Sequence, residues 1–199
     1  MSCNPRKIIK ASERRTVVKY RDGDTADIIT VILAMDARSG NYIDAAAAEC
    51  LRGKNDIDTL KNIWSFVKFN VRYQADKPGN ELVKSPGALF DLGHGDCKSF
   101  SIAIVALLRT LGFKDIRFRF TSYDRDDFSN VYVVCRNGGR DVILDAVHSR
   151  FNDEVPYRRK KDIAAIQARI SGISASKPIS VNGAFAVAFL LLTSYLISK

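Results

Sequence analysis

At Gly112 the apolar residues of this 199-residue chain change their period, and that change restricts the possible folds more than any other feature. Upstream, Ile57, Leu60, Ile63, Trp64, Val67 and Val71 recur three and four apart, which puts them on one face of a helix capped by Asp56. Cys97 to Leu111 predicts a long, largely buried helix ended by Gly112. Asp24 or Thr25 caps a predicted helix over residues 26–37, and the Ala-rich stretch 41–52 predicts another, stopped by Gly53. Lys77-Pro78-Gly79-Asn80 and Ser85-Pro86-Gly87 read as turns. Downstream, Ile116, Phe118 and Phe120 alternate with Arg117, Arg119 and Thr121, the pattern of a strand with Phe inward and Arg outward. Residues 131–136 and 140–146 follow as two more strands, joined by the hairpin sequence Asn137-Gly138-Gly139. Helices first and antiparallel strands afterwards make an α+β domain, and the chain is long enough for one such core.

Charge then divides the chain. The net of +9 is concentrated at the ends: residues 1–21 carry +6, residues 22–149 carry −2, and residues 150–177 carry +4. A basic fold built around a nucleic-acid groove would not be neutral in its middle, so nucleic acid is not an expected partner. The boundaries that follow are a basic N-terminal arm over 1–23, the folded domain over 24–157, a basic linker with a short helix over 158–177, and an uncharged tail over 178–199. Within that tail, residues 184–197 are apolar around the whole circumference except for Thr193 and Ser194. As a helix, 21 residues reach about 30 Å, one hydrocarbon core. Two readings stay open: a C-terminal transmembrane anchor, or a helix buried in protein. The basic flank of Arg158, Arg159, Lys160, Lys161, Arg169 and Lys177 favours the anchor, with membrane lipid met by 178–198. Residues 1–21 lack the apolar stretch of a secretory signal.

Cys3, Cys50, Cys97 and Cys135 lie far apart without a CxxC pair, which argues against a zinc site and predicts no disulfide framework. A reduced compartment is the simpler setting. Asp124, Asp126 and Asp127 lack the Gly and terminal Glu of a calcium loop, and no metal or cofactor is expected. Cys50 and Cys135 sit in apolar contexts as small hydrophobes. Cys97 does not: Gly93-His94-Gly95-Asp96 leads into it, and the first turn of a helix favours the nucleophilic thiolate.

Gly95-Asp96-Cys97 opening a helix ahead of three antiparallel strands resembles the transglutaminase-like superfamily of papain-related thiol enzymes. Residues 66–73 (FVKFNVRY), 76–81 (DKPGNE), Ser85-Pro86 and then Gly95-Asp96-Cys97 are similar in order and spacing to a branch often encoded by bacteriophages and prophages. The resemblance covers roughly residues 24–157. It implies a triad in which a Cys thiolate attacks a carboxamide carbon, a His carries the proton and an Asp orients the imidazole. Cys97 matches the nucleophile and Asp145 the acid. At the position of the family's His, in Ser129-Asn130-Val131-Tyr132-Val133, stands Asn130. An amide accepts no proton at neutral pH, and acid–base transfer is worth about 10²–10⁴-fold. His94, three residues before Cys97, and His148, three after Asp145, are the candidate substitutes.

Two functions therefore remain in view. One is a membrane-held thiol acyl-transfer domain, a peptidase, amidase or cross-linker working through a Cys97 thioester on a peptide or protein carboxamide. The other is a catalytically inactive member serving as a structural or membrane-attachment protein. The phage resemblance implies a virion or the inner membrane of an infected bacterium as the setting, with virion shell proteins as partners.

Overall fold

The computed structural model describes residues 3–11, 15–21, 24–39, 42–77, 79–124 and 127–165. Its centre is helix α6 (Cys97–Thr110), in which every residue from Lys98 to Leu108 is buried. Around it pack α2 (Thr25–Ser39), α4 (Asp56–Asn70) and α5 (Pro86–Leu92). The short α1 (Pro5–Ile8) and α3 (Ala45–Ala48) lie upstream of α4. A 3-10 turn over Glu49–Leu51 follows α3, so the Ala-rich segment is helical over a shorter stretch than expected. Each start has a local cause. The carboxylates of Asp24 and Asp27 accept each other's backbone N–H at α2, and Asn55, rather than Asp56, caps α4 through the Asp58 N–H at 2.9 Å. Ser85 caps α5 with Pro86 as its first residue, so the predicted turn there is a helix start.

Strands β5 (Ile116–Ser122), β6 (Asn130–Asn137), β7 (Arg140–Leu144) and β8 (Arg159–Ala164) form an antiparallel sheet in the order β7-β6-β5-β8. Val133 stands opposite Phe118 and Leu144, so the inner face carries Phe118, Phe120, Val131, Val133, Cys135 and Leu144 into the core beside α6. Gly138 and Gly139, with φ of 56° and 80°, make the two-residue hairpin loop between β6 and β7. The smaller pairs are β1 (Val17–Arg21) with β3 (Asn80–Lys84), antiparallel, and β2 (Arg72–Tyr73) with β4 (His94–Gly95), parallel.

Four expectations need correcting. Residues 159–164, read as part of a basic linker with a short helix, are strand β8, paired along β5 from Arg117↔Ala164 to Ser122↔Arg159. Arg119 points outward as predicted but is only 3% exposed, because β8 brings Asp162 to it at 2.7 Å and the segment before β8 brings Glu154 at 2.6 Å. The N-terminal stretch is part of the fold: Ile8 and Ile9 lie in the core, and β1 pairs with β3. Cys3 and Cys50 form a disulfide, which ties that stretch to the 3-10 turn after α3. The candidate anchor over 178–199 lies outside the described residues. Among those described, no helix is long and apolar enough to cross a membrane.

Candidate active site

Cys97 is the first residue of α6, and Asp96 is the N-cap, its carboxylate accepting the Ser99 N–H at 3.3 Å. The loop that delivers them is tight. Gly93 closes α5 in the left-handed region at φ 68°. A Cβ on Gly95 would stand 2.4 Å from Leu89 Cδ1, on a side chain with no exposure and no room to give way. Gln74, the residue after β2, holds this loop from the other side, its N–H donating to the Gly95 carbonyl at 2.8 Å.

Helix position alone would lower the Cys97 pKa. Its surroundings do the opposite. Burial, and then the charge of Asp96, push the thiol up to about 12, against the weaker downward pull of Lys98 and of the Val131 N–H bonded to the sulfur. The expected thiolate is therefore a protonated thiol at neutral pH. Burial also raises the Tyr73 phenol, with the neighbouring Cys97 as the next cause.

Asn130 opens β6 and Asp145 follows the end of β7, and antiparallel pairing brings the two side chains together. The Asn130 Nδ2 donates to Asp145 Oδ2 at 3.1 Å and to the Tyr123 hydroxyl at 3.0 Å. The other carboxylate oxygen of Asp145 accepts the N–H groups of Val147 and His148 at 2.9 and 3.3 Å. α4 fixes the backbone here: Trp64 Nε1 donates to the Asp145 carbonyl at 2.7 Å, and Lys68 Nζ to that of Ala146 at 3.1 Å. Trp64→Phe removes the first of these bonds and some packing on Phe151. Its expected cost is about 1–2 kcal/mol, read as a fall in the thermal midpoint of roughly 2–8 °C.

Two hollows meet at Asn130. One, of about 270 Å³, is walled by Ile28, Ile32, Phe120 and Phe128 and holds Cys97. The other, of about 480 Å³, is bounded by Tyr123, Asp145, His148 and Val155. Tyr73, Ser129 and Asn130 belong to both. His148 thus reaches the neighbouring cleft, where its Nδ1 accepts the Arg150 N–H at 3.3 Å. His94 is elsewhere engaged: its Nδ1 lies 3.0 Å from the Leu92 carbonyl, and it lines neither hollow. The fold therefore gathers Cys97, Asn130 and Asp145, leaves His148 at the margin and keeps His94 apart.

The site also includes groups to which the sequence assigned no role. Asp76, Glu81 and Asp96 place carboxylate oxygens within 4.8 Å of one another, close enough to hold a cation. Lys98 Nζ is already there, 3.2 Å from Asp76, 2.6 Å from Glu81 and paired with Asp96. Asp76 and Glu81 stood in the motif block 76–81, and Lys98 beside the cysteine. Only the tertiary fold shows that they meet.

Residues 44–139 match the family model of the transglutaminase-like superfamily. That segment, just under half of the chain, is similar to the core of this superfamily. The fold of the chain is also that of calcium-bound LapG from Legionella pneumophila, with a TM-score of 0.50 and 18% identity over 86% of this chain and 92% of LapG. A second LapG structure aligns at TM-score 0.45 and 18% identity, over 60% of this chain and 73% of LapG. A cysteine-protease candidate from Cytophaga hutchinsonii aligns at TM-score 0.44 and 20% identity, over 65% of this chain. The chain spans only 48% of that protein's length. No curated protein sequence matches the chain. The transglutaminase-like segment thus lies in an α+β domain in which Asn130 is bonded to Asp145.

Proposed function

We propose that this transglutaminase-like domain binds a peptide or protein carboxamide segment in the double cleft and that Cys97 does not turn it over at an enzyme's rate. The observation that carries the reading is the Asn130–Asp145 bond. The acid that would orient an imidazole instead holds an amide, which has no titratable nitrogen to take the thiol proton. The raised pKa of Cys97 agrees with a thiol that has no base beside it.

A second reading keeps the acyl transfer, through a Cys97 thioester, with His148 carrying protons along the cleft. Its support is that His148 lines the same hollow as Asn130 and Asp145. Alkylation of Cys97 by iodoacetamide as a function of pH, followed by peptide mapping so that Cys135 is scored apart, separates the two. At a pKa of about 12 the thiolate is roughly one part in 10⁵ at pH 7, so the rate should climb about tenfold per pH unit through pH 10 with no plateau. A plateau with its midpoint below pH 8 would establish an activated thiol and favour acyl transfer.

The place of action that goes with either reading is a membrane met by residues 178–198, in a virion or an infected bacterium with shell proteins as neighbours. Its support is the uncharged run of the sequence and the order of the motif blocks over 66–97. Carbonate extraction of the full chain tests the membrane part, since a fully released chain excludes a spanning anchor.

A further inference from the structure

Lys98 is 7% exposed, one residue past the cysteine, on the first turn of α6. Its ammonium group meets carboxylates from three separate pieces of chain: Asp76 in the stretch after β2, Glu81 in β3, and the N-cap Asp96. An ammonium has three N–H donors and no acceptor; Glu81 and Asp96 each accept one, and Asp76 at 3.2 Å adds its charge. Asp76 is itself anchored, accepting the Leu82 N–H at 2.7 Å. All four side chains also form wall of the hollow that holds Cys97. Burial works to lower the Lys98 pKa, but the facing charges, Asp96 foremost, outweigh it and raise it, so the group stays charged at any physiological pH.

We propose that Lys98 is a built-in counter-ion: its ammonium group occupies the carboxylate cage as a divalent cation would, and makes the geometry around Cys97 independent of such a cation. Lys98 is then a positioning residue. It joins β3, the loop after β2 and the first turn of α6, and it neutralises part of a charge that would otherwise force the three carboxylates apart. A divalent cation offered to the intact protein meets a cage already filled by a cation that cannot diffuse away. The inference is independent of whether Cys97 is catalytic.

The test is thermal unfolding of the full chain in EDTA and in millimolar calcium chloride. The wild-type midpoint should be the same in both. Lys98→Met should unfold on the order of 10 °C lower in EDTA, because it leaves buried carboxylates uncompensated. Calcium should return about half of that loss or more, since it would bind the folded state alone. Adding Asp76→Asn should abolish the return, a result that a packing defect at position 98 would not produce. Lys98→Arg keeps the charge and should stay insensitive to calcium. A wild-type midpoint that rises with calcium, and ceases to do so in Glu81→Gln, overturns the proposal. So does a Lys98→Met chain whose midpoint calcium leaves unmoved. If Lys98→Met folds in neither buffer, refolding yield of Lys98→Gln with and without calcium decides, and equal yields count against the proposal.

Discussion

Asn130→His should raise the rate of Cys97 alkylation at neutral pH by a factor of about 10²–10⁴. The geometry for it already exists. Asn130 Nδ2 donates to Asp145 Oδ2 at 3.1 Å, and an imidazole rooted at the same place can direct its Nδ1–H along that bond. Asp145 is held for the task by the N–H groups of Val147 and His148 on its other oxygen and by Trp64 on its carbonyl. The second ring nitrogen then faces the hollow that Cys97 and residue 130 share, where it can accept the thiol proton. The alkylation profile should acquire a plateau near neutrality in place of the steady climb expected of the wild type. Adding Asp145→Ala should remove most of the gain, because the two residues act as a unit. An Asn130→His chain that keeps its thermal midpoint but alkylates at the wild-type rate shows that the sulfur lies beyond the imidazole's reach. The non-catalytic reading would then owe nothing to Asn130.

The elements with a strong internal period were legible in the sequence, and those that depend on a distant partner were not. α4, α6 and the hairpin β6–β7 follow from apolar spacing and from Gly138-Gly139, and they are the elements that carry Cys97, Asn130 and the approach to Asp145. β8 was hidden because Arg-Lys-Lys-Asp is an exposed edge strand. Its reason to pair is Arg119 on β5, 43 residues away, not any alternation of its own. Ile8 and Ile9 were hidden inside a basic segment, where charge suggested an arm and two buried side chains decide otherwise. The thiolate expected at Cys97 came from a local rule about helix ends. Its failure is non-local, since the walls that bury the sulfur come from α2, β5 and the stretch before β6. Lys98 shows the same limit. Its neighbours Asp96 and Cys97 are visible in the motif, while Asp76 and Glu81 reach it only once β3 has packed beside α6.

The ion pair between α2 and α6 should make stability depend on pH in a direction opposite to that of an ordinary salt bridge. Asp36 has no exposed surface, and its two oxygens accept from Arg109 Nη1 and Nη2, each at 2.7 Å. Burial nevertheless outweighs the guanidinium and raises the carboxyl from 3.8 to about 6. A carboxyl whose folded pKa is raised contributes stability that is fully present below its unfolded pKa and is lost as pH rises through the folded one. The window here runs from about pH 4 to pH 6. Asp36→Asn keeps the shape but does not titrate. The wild type should therefore exceed this variant in stability by more at pH 4 than at pH 7, with a difference between the two margins of about 2–3 kcal/mol. Urea unfolding of both proteins at the two pH values measures it, and pairing them cancels the titration of every other group. A margin that grows toward pH 7 would mean that Arg109 holds the carboxylate ionised and that attraction prevails over desolvation. A margin that shrinks toward pH 7 identifies the pair as one that joins α2 to the cysteine helix at a net electrostatic cost.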